Sequence, residues 1–287
     1  MTDFNLERLN KLRKAARNVP LVTAVVEIAA FIMIVMGVRA PGLIIGLIAL
    51  IGGSVLKRRY KKEFTAECAR IQSLTALEMQ NATYAAQHRE TAEWLHGTRL
   101  VPSSTQVMQS PLVLNLIEGR KGAVQLWMGE VTFGVMEAGK KQPTWNSGTM
   151  LRTTLEGPAA QPMLLLGRQA FRHVPLRDAY AQDGMHLCTV GGKDTGWYAL
   201  TEDASDPSPA VLAIWKRLCA ATKEQAVVSV HGSELTAFFL GGFFTDSYPL
   251  DAQITEESLK SLHFEGYKPA LDLIACLNKE NRKRTAE

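Results

Sequence analysis

Residues 19–38 read VPLVTAVVEIAAFIMIVMGV, 20 consecutive positions with a single charge, Glu27. At about 1.5 Å of rise per residue, a helix of that length matches a hydrocarbon core of about 30 Å. The residues just beyond this run decide how the chain returns. Arg39-Ala40-Pro41-Gly42 reads as a tight turn, and a second apolar run over 43–56 leads into Lys57-Arg58-Arg59-Tyr60-Lys61-Lys62. The second run is short, so it spans only if its basic flank snorkels or the bilayer thins. A cleaved signal peptide is the competing reading, but the first run is long for one and a second apolar run comes directly after it. Lys11, Arg13, Lys14 and Arg17 precede the first run and five basic residues succeed the second, against Arg39 alone between them. The positive-inside rule then places both termini in the cytoplasm. The expectation is a two-pass transmembrane hairpin over 19–56 in a bacterial inner (plasma) membrane, preceded by a basic cytoplasmic N-terminus, 1–18.

Two features of the hairpin carry further information. Gly42, Gly46, Ala49 and Gly53 form a face of small residues that lets another helix approach closely, either the first span of the same chain or a second copy. Glu27 is an ionisable side chain at a depth where it is costly unless protonated, paired or facing a cavity. With the turn centred between Ala40 and Pro41, the residue level with Glu27 is Ser54, so a Glu27–Ser54 neighbourhood is expected.

Beyond the hairpin, residues 63–95 contain neither Pro nor Gly, and Phe64, Cys68, Ile71, Leu74, Leu77, Tyr84, His88 and Leu95 recur mostly at three- and four-residue steps. This predicts a helical stalk, 57–96, continuous with the second span and stopped by Gly97. After Pro102 the pattern becomes short apolar runs broken by Gly and Pro. Strands are expected at 123–128 and 130–136, joined at Gly129, and at 148–155, 162–166, 184–190 and 196–200. Ser208 and Pro209 open a helix to about residue 223; 226–230 and 235–240 flank His231-Gly232-Ser233-Glu234 as a β-hairpin; and Thr255 caps a last helix, interrupted at Gly266 and Pro269 and resuming to about residue 278. The fold class is α+β: transmembrane hairpin, stalk helix, then a cytoplasmic domain, 97–278, with a mainly antiparallel sheet and two or three packed helices, and a basic tail, 279–287. Residues 203–209 read either as a loop or as a linker within that domain.

Composition narrows the function class. Among 287 residues, charged side chains at 21% and four cysteines exclude a disordered tail protein, a polytopic transporter and a disulfide-dense scaffold. The net charge of +4 is a sum of unlike parts: residues 1–62 carry 11 Lys and Arg against 3 Asp and Glu, whereas 63–278 carry 17 against 23. An acidic body argues against nucleic acid as a partner. Cys68, Cys188, Cys219 and Cys276 form no C-x-x-C pair, and His88 and His96, eight apart on the expected stalk, are too distant for one ion, so no metal, cofactor or catalytic residue is assigned. Gly191-Gly192-Lys193-Asp194-Thr195-Gly196 fails the phosphate-loop pattern at Leu187 and Asp194 and reads as a turn.

Leu116-Ile117-Glu118-Gly119, Gly129-Glu130-Val131, Gly148-Thr149-Met150-Leu151, Tyr198-Ala199-Leu200-Thr201 and Val228-Ser229-Val230-His231-Gly232-Ser233-Glu234-Leu235, in that order behind a membrane hairpin, resemble a bacterial family known as a domain of unknown function (number three-one-three-seven, with a galanin-like label). The chain departs from that pattern at Ser147, where family members usually have an aromatic, and at 203–209, which reads as an insertion. The resemblance implies an N-terminal membrane hairpin followed by a mixed domain, and no reaction. The functional expectation, which leans away from an enzyme, is a hairpin-anchored cytoplasmic module that self-assembles or binds another membrane protein, with the lipid bilayer as its first partner. The alternatives are a tethered enzyme or ligand sensor with its site in the α+β domain, and a small oligomeric channel using Glu27.

Overall fold

A computed structural model of the chain describes residues 6–136, 141–171, 183–192, 195, 197–243, 248–251, 253–260 and 264–286. Its contacts divide it into two units: residues 1–77 with 245–261, and residues 78–244 with 262–287.

The first unit is helical. Helix α1 (Leu6–Val35) and helix α2 (Arg39–Ala76) are both long and apolar enough to cross a membrane. The chain reverses at 36–38, where Gly37 has φ +90°, a value that favours glycine. Arg39, Ala40 and Pro41 are already helical. The expected turn at 39–42 is therefore displaced: Pro41 lies in the first turn of α2, where a missing N–H costs no hydrogen bond. Toward the other end of the pair, Leu9 of α1, Phe64, Cys68 and Ile71 of α2, and Ile254 and Leu259 from far downstream are all buried in one small core.

The second unit departs from the expected stalk at its outset. Helix α2 ends at Ala76, and Gln80–Arg89 is strand β1. Helix α3 (Ala92–Gly97) comes next, capped by the Thr91 side chain, which accepts from the Trp94 N–H at 3.0 Å. His88 and His96, expected on one helix, thus fall in a strand and a separate helix. Strands β2 (Gln106–Val107), β3 (Leu112–Lys121), β4 (Val124–Met136), β5 (Thr144–Thr154), β6 (Met163–Gly167), β7 (His186–Gly192), β8 (Trp197–Thr201), β9 (Ala226–His231) and β10 (Glu234–Leu240) complete the sheet. Its order is β1-β3-β4-β5-β10-β9-β6-β8-β7, with β2 on β4, and every pairing among the described residues is antiparallel. The unit is α+β, as its patterning implied. Gly129 joins no two strands but lies within β4, where a Cβ would come 2.6 Å from a Val113 methyl.

Both faces of the sheet are packed. On one, Leu95 of α3, Leu100, Val101 and Ala170 of helix α4 (Arg168–Phe171) cover Val131, Met150, Leu164, Val227 and Phe238. On the other lies helix α5 (Pro209–Ala221), capped by Ser208, with Val211, Trp215 and Leu218 buried. Helix α6 (Glu256–Lys260) belongs to the first unit; helix α7 (Tyr267–Ala286) packs on α5.

Candidate functional site

The hairpin's chemistry starts from which side chains it hides. A Cβ on Gly46 would sit 3.6 Å from the Ala30 Cβ, and one on Gly53 would sit 2.2 Å from the Thr23 hydroxyl; one on Gly42 would sit 2.8 Å from the Ala30 carbonyl. The small-residue face is therefore filled by α1 of the same chain. The residue numbers facing each other at Gly46 and Gly53 both add to 76, which puts Glu27 level with Ala49. Ser54 is exposed and lies five positions, about 7.5 Å, further along. The expected Glu27–Ser54 neighbourhood is thus replaced by Glu27–Ala49, because the reversal is at Gly37 rather than beyond Ala40.

Outside that seam the hairpin is mostly apolar and exposed. Leu21, Val22, Val25, Ile28, Phe31 and Val35 on α1, and Leu43, Ile44, Leu47, Ile48, Ile51 and Val55 on α2, are all more than half exposed. Directly past this belt stand Lys14, Arg17, Lys57, Arg58, Lys61 and Lys62, exposed and, among the described residues, without ion-pair partners. Arg59 pairs with Glu63 at 2.9 Å. Arg13 is buried instead, its guanidinium reaching the Asp251 carbonyl at 3.5 Å. In the adjoining core, burial pushes the Cys68 thiol up to about 12, so it is an inert hydrophobe rather than a nucleophile.

The sheet unit offers three further groupings. The first crosses three strands: the Tyr84 hydroxyl donates to Asn115 Oδ1 at 2.9 Å, and Asn115 Nδ2 donates to the buried Glu130 carboxyl at 2.9 Å. Asn115 sits at the β3 irregularity with φ +51°, a conformation that asparagine tolerates better than most residues. In the second, the Arg152 guanidinium bonds Glu234 at 3.0 Å and lies 5.1 Å over the Trp94 ring, which packs against Trp127. The third is a cleft of about 540 Å³ beside α5, lined by Trp197, Leu212, Lys216, Cys219 and Glu224 among others. Burial also pushes Cys219 up to about 12. Among the described residues no cluster of His, Cys, Asp and Glu has the make-up to hold a metal.

Residues 203–206 form a tightly bonded loop. Asp203 accepts from the Ser205 hydroxyl at 2.7 Å and its N–H at 3.0 Å, which hold its carboxyl down at about 2; Asp206 accepts from Thr189 Oγ1 at 2.6 Å and from the Val190 N–H at 3.0 Å. Of the expected turn at 191–196, Gly191 and Gly192 end β7, paired with Tyr198 and Trp197 of β8, while 193, 194 and 196 lie outside the described residues.

These features define an α+β protein with an apolar two-helix hairpin. No family model matches the chain, and no curated protein is similar to it. Among solved structures it is similar to the mycobacterial trehalose monomycolate transport factor A, at 9% identity and a TM-score of 0.34, covering 72% of this chain and 93% of that one.

Proposed function

We propose that this protein is a membrane-anchored module of the bacterial inner membrane, with both termini and the sheet unit cytoplasmic, that works by binding a partner or by self-assembly. The exposed apolar belt of the hairpin carries the reading. Apolar surface of that extent does not persist in water, and a membrane is the solvent that accepts it on all sides of two helices. The six cations without ion-pair partners among the described residues at one end of the belt, against Arg39 at the other, support the orientation. The test is extraction of membranes with alkaline carbonate, followed by protease treatment of right-side-out and inverted vesicles. The protein is expected in the carbonate pellet and cleaved only in inverted vesicles; release by carbonate, or cleavage from the outside, would overturn the reading.

A second reading, ligand binding or catalysis in the sheet unit, is favoured by the cleft beside α5, where an indole, a thiol, an ammonium group and a carboxylate line one cavity. Native mass spectrometry of the purified chain tests it: a co-purifying small molecule that Leu212→Arg displaces would support this alternative over the first.

A further inference from the structure

We infer that one face of the hairpin, at the level of the lipid headgroups, selects anionic phospholipids. The inference rests on the membrane-anchored reading above and names the lipid that the anchor prefers. Depth is the first observation. In the register where facing residue numbers add to 76, Lys57, Arg58, Lys61 and Lys62 are level with residues 19, 18, 15 and 14 of α1, alongside Arg17 and Lys14. At helical rise the six stand about 3–11 Å beyond the level of Leu21, where the exposed apolar belt on α1 begins. The headgroup layer adds about 5–8 Å to each side of the hydrocarbon core, within reach of Lys and Arg side chains.

Direction is the second. At about 100° per residue, counted from the seam residues Ala16 on α1 and Gly53 on α2, Arg17 and Lys14 turn about 100° and 160° one way round α1. Lys57, Lys61 and Arg58 turn about 40°, 80° and 140° in the same sense round α2, and Lys62 points straight away from the seam. Because the helices are antiparallel, the same sense of rotation leads to the same face of the pair. Arg59 and Glu63 turn the opposite way, by about 120° and 80°, and are paired with each other at 2.9 Å. The third observation is what the cationic face lacks. Between Glu7 and Glu63 the sequence has one carboxylate, Glu27, inside the apolar run, and among the described residues none of the six cations has an ion-pair partner. An occupant must therefore bring negative charge to a surface that adjoins exposed Leu21, Val22 and Val55. An anionic phospholipid does both, with its phosphate against the cations and its acyl chains against the belt.

The test is native mass spectrometry of the full chain, delipidated in a non-ionic detergent and titrated with dioleoyl phosphatidylglycerol or dioleoyl phosphatidylcholine. The wild type is expected to bind the first phosphatidylglycerol with a Kd roughly tenfold or more below that for phosphatidylcholine. Arg17 and Arg59 are level, exposed and alike in charge, but on opposite faces, so they form a matched pair of variants. Arg17→Gln is expected to shrink the preference roughly fivefold, the equivalent of about 1 kcal/mol for one cation at an anionic surface, and Arg59→Gln to leave it within about twofold. Millimolar inorganic phosphate at constant ionic strength is expected to leave the adducts in place; displacement would overturn the phospholipid in favour of a soluble anion. Binding of neither lipid, together with release of the chain from membranes by carbonate, defeats the anchor. Equal Kd values for the two lipids, or equal losses in the two variants, defeat the selective face alone.

Discussion

The two adjacent glycines in α2 should respond oppositely to the same added methyl group. A Cβ on Gly52 meets nothing within 4 Å, whereas one on Gly53 falls 2.2 Å from Thr23 Oγ1 and 2.8 Å from Thr23 Cγ2, where ordinary contact begins at 3.4 Å. In Gly53→Ala the helices must therefore part by about 1.2 Å, or Thr23 must swing away and give up its bond to Val19. Overpacking of this kind costs about 1–3 kcal/mol. The greater helix propensity of Ala over Gly, about 1 kcal/mol, is common to both positions, so the difference between the two variants isolates the clash. The assay is the midpoint of unfolding by sodium dodecyl sulfate in mixed micelles, followed by helical circular dichroism. Gly52→Ala is expected to hold or raise the midpoint and Gly53→Ala to lower it. Thr23→Ala, which leaves only a Cβ at 3.0 Å, should restore most of the loss in the double variant, with a coupling of about 1 kcal/mol or more. Equal midpoints for the two glycine variants, or no rescue by Thr23→Ala, would refute the packing of Gly53 on Thr23.

The register can be read covalently: with the four native cysteines replaced, Ala30→Cys/Gly46→Cys places two Cβ atoms 3.6 Å apart and should close an intrachain disulfide on oxidation, while Ala30→Cys/Ile51→Cys, the pairing that a turn beyond Ala40 would demand, should stay reduced. Phe64, 1% exposed in the small core of the helical unit, should cost that unit about 3–5 kcal/mol when cut to Ala; limited proteolysis should then open 248–260 first, and an unchanged cleavage map would show that this core does not hold the segment. For Asp203 the folded-state value lies below the ordinary 3.8, so its contribution to stability is present above about pH 4 and lost as pH falls toward about 2. The gap in urea stability between wild type and Asp203→Asn should close over that window, and a gap independent of pH would count against the Ser205 bonds as its cause.

How much of the fold is legible in the sequence depends on the range of the interactions involved. Apolar runs of spanning length, the Ser208–Pro209 helix start and the hairpin turned by Gly232, φ +57°, are local signals and stand where the residues put them. The reversal of the helical pair is harder to place, because Pro41 has the signature of a breaker although a first-turn proline breaks nothing, and the actual reversal uses Gly37 in an otherwise apolar run. Strand β1 reads as helix because it is an edge strand: most of its ten residues are exposed, so no period-two alternation marks it, and Tyr84 and His88 happen to repeat at helical spacing. Its identity is set by pairing with β3, more than twenty residues on. Within the candidate sites, Glu27 stands out alone because the single charge in a run of 20 residues is visible in one dimension. The Tyr84–Asn115–Glu130 relay is invisible there, since its three members come together only through the register of three strands.

The division of charge along the chain takes a physical form in the helical unit. Of the basic residues before position 63, Arg13 is buried in the base and Lys11 is held by Glu7 at 2.7 Å, so neither is left to face a membrane. Apart from Arg39 at the reversal, the cations left without a carboxylate partner among the described residues, Lys14, Arg17, Lys57, Arg58, Lys61 and Lys62, sit on both helices at one level, because the same register that sets Gly53 against Thr23 sets Arg17 level with Arg59. A cation that served the fold would have found a carboxylate, as Arg70 found Glu67 at 2.7 Å. The return of 245–261 to this unit adds a second constraint. Tyr248, Leu250, Ile254 and Leu259 pack with residues of α1 and α2 that lie at the ends of the pair beyond the apolar belt. The helical unit is therefore not an N-terminal appendage that could be removed without consequence: the chain passes between the two units at 77–78, 244–245 and 261–262, and cutting at the first of these leaves four apolar side chains of the third segment without the core they were folded against.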